Sequence, residues 1–136
     1  MAVVGSARYD KYDPVSGGFR APLAANWVEA DVAKIFAVGL DTNGAVVKGA
    51  GNTGIIGVLV ISKIMNAGDI VDVMTSGEIV GAALSDGTTG LTAGTAYYGV
   101  PGTGLLSATA TANKKVGHTV EATRLVVRMA PTGTGA

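Results

Sequence analysis

Turn chemistry recurs about every ten residues along most of this chain, and the β-prone runs between the turns are short. "KIFAVGL" and "AVVKG" flank "DTNG" (41–44), where Asn43-Gly44 is a two-residue hairpin signal because both positions tolerate positive φ. After "GAGNTG" comes "IIGVLVIS", a continuous apolar run that reads as a strand buried on both faces. "AGDIVDVMTSGEIVGAAL" (67–84) places Ile70, Val71, Val73 and Met74 before "TSGE" and Ile79 and Val80 after it, which predicts a second hairpin. "TAYYGV", the turn "PGTG" (101–104), "LLSATAT", "KVGHTVEA" and "RLVVRM" repeat the theme. The last run alternates, with Arg124, Val126 and Arg128 on one face and Leu125, Val127 and Met129 on the other. This spacing predicts an all-β sandwich or small barrel in place of a βαβ design. One short helix is expected: Asn26 as the cap of "WVEADVAK", with Glu29 completing a capping box, over about two turns. No fixed-period internal repeat is evident.

At 136 residues the chain is long enough for one compact domain. Its apolar content is carried by Ala and Val, and its 21 glycines and abundant Thr supply turns and strand positions. The longest apolar run, "GIIGVLVIS" (54–62), falls short of the roughly 18 residues that span a bilayer. The start "MAVVGSARYD" lacks the basic and apolar blocks of a secretory signal, so a soluble chain with no membrane partner is expected. Without cysteine there is neither disulfide nor thiolate chemistry. Ten basic residues balance ten acidic ones, which makes nucleic acid an unexpected partner. The charges are uneven: residues 35–90 carry two basic and five acidic, residues 91–136 four basic and one acidic. An acidic middle and a basic end fit attraction between identical subunits, and equally a solvated surface.

Catalytic groups are sparse, and no enzyme activity, cofactor or metal is expected. His118 is the only histidine, so a Ser-His-Asp arrangement or a His-rich metal site would need a second subunit. Asp69 and Asp72 lie three apart on a strand-like run, hence on opposite faces, and Asp69 belongs to the turn that opens it. "GAGNTG" (49–54) lacks the Gly-Lys-Ser/Thr of a phosphate loop and leads into a strand. "DVMTSGEIVG" has the look of a biotinyl or lipoyl hairpin, but its tip is Thr75-Ser76-Gly77 where those carriers need a lysine.

The front of the chain poses the sharper question. Of seven aromatic residues, four (Tyr9, Tyr12, Phe19 and Trp27) fall in the first 27 positions, among Gly and Pro. A disordered linker would be poor in aromatics, so residues 1–26 read as an extended N-terminal arm that docks on something. Tyr9, Tyr12, Phe19, Arg20 and Trp27 are its candidate contact residues. Fully extended, such an arm reaches at most roughly 90 Å. Two alternatives stand beside this: the arm covers its own domain, or Trp27 and Phe36 lie inside while Tyr9, Tyr12 and Phe19 meet a partner. The expected organisation is then an arm (1–26), a β-domain (27–130) and a flexible tail (131–136).

The order "APLAANW…KIFAVGLDTNGAVVKGAGNTGIIGVLV", "AGDIVDVMTSGEIV", "LTAGTAYYGVPGTGLLSATA…KVGHTVEATRLVVRM" resembles the head-decoration, or capsid cement, proteins of tailed bacteriophages over roughly residues 21–130. The resemblance implies a β-tulip-like barrel or sandwich and a non-enzymatic virion protein on the outer surface of the head. It further implies a homotrimer that bridges major capsid protein subunits and stabilises the shell. No arm residue carries over individually. The rival readings are another virion part, such as a fibre base or tail-tube component, and a carbohydrate- or cell-surface-binding module. In the last, Tyr97, Tyr98 and Trp27 would form a stacking platform, although adjacent strand residues face opposite ways.

Overall fold

The structure, a computed structural model, describes residues 17–81 and 90–129. The described residues form ten strands: β1 (Gly18–Pro22), β2 (Phe36–Leu40), β3 (Val46–Lys48), β4 (Gly57–Leu59), β5 (Ile70–Met74), β6 (Ser76–Val80), β7 (Ala96–Gly99), β8 (Leu106–Ser107), β9 (Lys114–Thr119) and β10 (Arg124–Arg128). They make two antiparallel sheets: sheet I in the order β6-β10-β9-β7-β8, sheet II in the order β1-β5-β4-β2-β3. The expected all-β architecture is therefore observed. Sheet II curls toward closure, because Leu23, just past β1, bridges in parallel to Val46 of β3, and the Ala24 N–H donates to the Val46 carbonyl at 3.0 Å.

Two apolar cores follow from this arrangement. Core 1 lies between the sheets, where Tyr97, Leu106, Val116, Leu125 and Val127 of sheet I meet Ile35, Ala37, Ile55 and Val58. Core 2 fills the curl of sheet II with Leu23, Trp27, Phe36, Val38, Val46, Leu59, Ile61, Val71 and Val73. Strand β2 and its approach serve both: Ile35 and Ala37 face core 1, Phe36 and Val38 face core 2. Alternation in a strand buried on both faces demands an unbroken apolar run, and "IFAV" supplies it. The expectation of two-sided burial for "IIGVLVIS" is met likewise, with Val58 in core 1 and Leu59 in core 2.

The alternation of "RLVVR" is observed, Leu125 and Val127 being buried and Arg128 exposed. The hairpin at "DTNG" forms, but over a longer loop than two residues. Asp41 Oδ1 accepts from the Asn43 and Ala45 N–H groups, the Gly44 N–H donates to the Asp41 carbonyl, and only Gly44 takes positive φ (+79°). The turn 101–104 also forms, and it reaches across to the other sheet. The Gly104 carbonyl accepts from the Ala37 N–H at 2.6 Å and the Pro101 carbonyl from the Ala50 N–H at 2.9 Å. A Cβ at Gly104 would meet the Ala37 carbonyl oxygen at 2.6 Å, so the approach requires glycine there.

Two expectations are corrected. β5 and β6 are not a hairpin: β5 pairs with β1 and β4 in sheet II, β6 with β10 in sheet I. Thr75 is the crossing point, its N–H donating to Gly17 of one sheet system and its carbonyl accepting from Met129 beside the other. "TSGE" lacks the paired positive-φ positions that fold a strand back on its neighbour, so the chain continues into a new sheet. The two-turn helix shrinks to a single 3-10 turn, Glu29–Asp31. Asn26 is not its cap, since Asn26 Oδ1 accepts from the Ala67 N–H at 2.8 Å. Instead Asp31 caps backwards, Oδ2 accepting from the Val28 N–H at 2.9 Å, and Ala33 at φ +64° prevents another turn.

Candidate functional site

The residues expected to form a contact arm divide in three. Tyr9 and Tyr12 lie outside the described residues. Phe19 and Arg20 sit in β1, opposite Val73 and Asp72 of β5. Phe19 is half-buried against core 2; Arg20 is exposed, its Nε donating to Asp72 Oδ1 at 2.8 Å. Both partners of that pair are about three-quarters exposed, so it contributes little to stability. Trp27 is a core residue and not an arm contact, being only 2% exposed. Residues 18–24 are thus woven into sheet II, and the chain enters the described fold at Gly17, on the rim of a groove. That groove, about 510 Å³, is lined by Gly17, Gly18, Phe19, Arg20, Asp72, Val73 and Met74.

Trp27 is held from several directions. Its backbone pairs with Met65 through two hydrogen bonds of 2.8 and 3.0 Å. The indole meets the Phe36 ring edge-on, with centroids 5.1 Å apart. Lys48 Nζ stands 5.0 Å from the Trp27 centroid and 4.5 Å from that of Phe36, and donates to Asp31 Oδ1 at 2.7 Å. Burial pushes the Asp31 carboxyl upward, but the Lys48 hydrogen bond, the Val28 N–H and the charges of Lys48 and Lys34 outweigh it, leaving its pKa below the ordinary 3.8. Asp31 is therefore an ionised group committed to holding the 3-10 turn over the end of core 2.

The remaining candidates are dispersed. Asp69 Oδ2 accepts from the Asn66 N–H within its turn while Asp72 faces Arg20, so the two carboxylates do not work together. Tyr97 is buried, its hydroxyl accepting from the Thr92 N–H at 2.8 Å, whereas Tyr98 points to the opposite face. With Trp27 in core 2, the three rings make no common platform. His118 is exposed on β9. Among the described residues no group of three His, Cys, Asp or Glu is placed to hold a metal ion, and no helix is long and apolar enough to cross a membrane.

Sequence reasoning missed the outer face of sheet I. The register aligns Glu78, Val126, His118 and Ala96 in one row; on the same face it sets Ser76 beside Arg128, and Tyr98 between Lys115 and Ser107. A bulge between Lys115 and Gly117 makes this possible, turning Val116 into core 1 while Lys115 stays outside. The alternation of "RLVVR" was the one available signal; the partners across the sheet needed the register.

No protein-family model matches the chain, and no curated protein matches it. Among solved structures it is similar to a chain from Mycobacterium phage Patience, with a TM-score of 0.70 and 23% identity, covering 88% of this chain and 94% of that one. The fold is therefore one that also occurs in a phage protein.

Proposed function

We propose that this chain is a decoration, or cement, protein of a tailed phage, a non-enzymatic virion component on the outer surface of the head. On this reading it acts as a homotrimer, bridges neighbouring major capsid subunits and stabilises the shell against internal DNA pressure. The observation that carries the reading is the near end-to-end likeness in fold to the Mycobacterium phage Patience chain, joined to the ordered segments that resemble decoration proteins.

The architecture supports it in two ways. Two packed cores sharing β2 make a stiff body, which a clamp between capsomers needs. The chain also enters that body at the edge strand β1, so the sixteen residues before Gly17, with Tyr9 and Tyr12, start from the rim of the domain. Fully extended they reach at most about 55 Å, still enough to contact a neighbour. "AVV" (2–4) is a candidate for strand addition to a capsid sheet. Each contact need be only moderate, because a trimer engages three regions and gains through effective concentration.

Light scattering followed by co-sedimentation with phage heads lacking the protein tests the reading. A trimer that pellets saturably with heads is the expected result. Failure to pellet at any concentration overturns it, and rings or long polymers would point to the tail instead.

A further inference from the structure

The outer face of sheet I carries two cations that pair with no acidic group among the described residues. Arg124 is committed: its guanidinium contacts Glu121 at 2.7 Å and Glu78 at 3.5 Å. Lys115 and Arg128 are exposed, and neither has an ion-pair partner among the described residues. They lie on neighbouring strands of the same face, Arg128 two residues beyond Val126 and Lys115 opposite Tyr98. Beside them are half-buried apolar groups, Val126 and the Tyr98 ring, with Ser76 paired to Arg128 and Ser107 to Tyr98.

We propose that this face, centred on Lys115, Arg128 and Tyr98, is a docking surface for an acidic protein surface. Resting on the decoration reading, it is the part of the β-domain that meets the head. Tyr and Arg set in a patch with an apolar centre are the residue types that anchor protein interfaces. The two uncommitted cations supply the charge complementarity that fixes orientation and speeds encounter. Nucleic acid is the poorer occupant. Glu78 borders the patch opposite Val126, and a duplex bearing one charge per about 1.7 Å would gain only two phosphate contacts there.

The test is the double charge reversal Lys115→Glu/Arg128→Glu, with Tyr98→Ala as an uncharged second variant, in co-sedimentation with heads lacking the protein. Both sites are on the outward face, so the thermal transition should be unchanged for the charge reversal. Its binding should fall at least about tenfold, and wild-type binding should weaken as salt rises past the range where the Debye length is about 10 Å. Tyr98→Ala should weaken binding without altering the salt dependence. If the wild type pellets with heads and the folded charge-reversed protein pellets equally well, the docking face is wrong and the decoration reading stands. If the wild type does not pellet, both fall. Tighter retention on duplex DNA than on heads would also overturn the proposal, in favour of nucleic acid.

Discussion

Replacing Lys48 by Met removes one charge from the end of core 2 while keeping an unbranched apolar stem one atom shorter. The Asp31 carboxylate, 11% exposed, would keep the Val28 N–H and lose its hydrogen-bonded cation. Removing one partner of a fully buried pair costs about 3–5 kcal/mol, and an exposed pair is worth about 0–1 kcal/mol. Lys48 is one-third exposed, so an intermediate cost of about 2 kcal/mol is expected, including lost attraction to two ring faces. The sign with pH follows from Asp31. Its folded pKa is depressed below 3.8, so its contribution is complete above the ordinary value and is lost as pH falls through the folded one. In Lys48→Met the burial that raises the carboxyl's pKa remains and the cation that lowers it is gone. The gap between wild type and variant should then be widest at neutral pH, narrow in acid, and close as pH falls through the depressed wild-type value. Urea unfolding at a series of pH values measures it, with Trp27, the only tryptophan, as a reporter in contact with the site. A cost under about 0.5 kcal/mol at pH 7, or one that stays constant down to pH 3, would show that the pair does not hold the turn.

Leu125→Ala, at a fully buried site in core 1, should cost about 3–4 kcal/mol in urea unfolding. Gly104→Val should cost more than about 3 kcal/mol, because its Cβ would strike the Ala37 carbonyl at φ +78°; Gly44→Ala, also at positive φ but with nothing within 4 Å, should cost about 1 kcal/mol. Deleting residues 2–16 should leave the urea midpoint and self-association unchanged and weaken head binding in co-sedimentation. Tyr9→Ala and Tyr12→Ala should each cost about 1–3 kcal/mol of head binding if they are anchors, whereas Phe19→Ala should register in stability as well, since Phe19 packs on core 2.

What the sequence disclosed depended on how local the signal was. The fold class, the turns at 41–44 and 101–104, and the outward position of Arg124 and Arg128 all follow from alternation and turn residues within ten positions of one another. The fate of β6 does not. "DIVDVMTSGEIV" reads as two strands and a tip, and nothing in it says that the second strand pairs with "RLVVR" fifty residues on. The choice between the arm and the domain for Trp27 was open for a related reason. Its neighbours Ala24, Ala25, Asn26, Val28 and Glu29 carry no strand or core pattern, and the groups that bury it, Met65, Phe36 and Lys48, are distant or of unremarkable type. The Lys48–Asp31 pair, seventeen residues apart, carries no spacing rule at all.

The links between the sheets bear on what a cement could do. A protein with two cores invites the picture of two lobes and a soft waist, which would let bound subunits part under load. Here the waist is occupied. Strand β2 belongs to both cores, the Gly104 and Pro101 carbonyls of the turn in sheet I accept from the Ala37 and Ala50 N–H groups on the side of sheet II, and Thr75 is hydrogen-bonded at both ends across the crossing. Opening the sheets would expose Ile35, Ala37 and Leu125 together and break those backbone bonds in the same step. The two sheets should therefore unfold in one transition, and Lys48→Met in core 2 and Leu125→Ala in core 1 should lower the same midpoint. Two separate transitions, each shifted by only one of the variants, would mean the waist yields, and a protein that yields there would transmit little of the shell's strain.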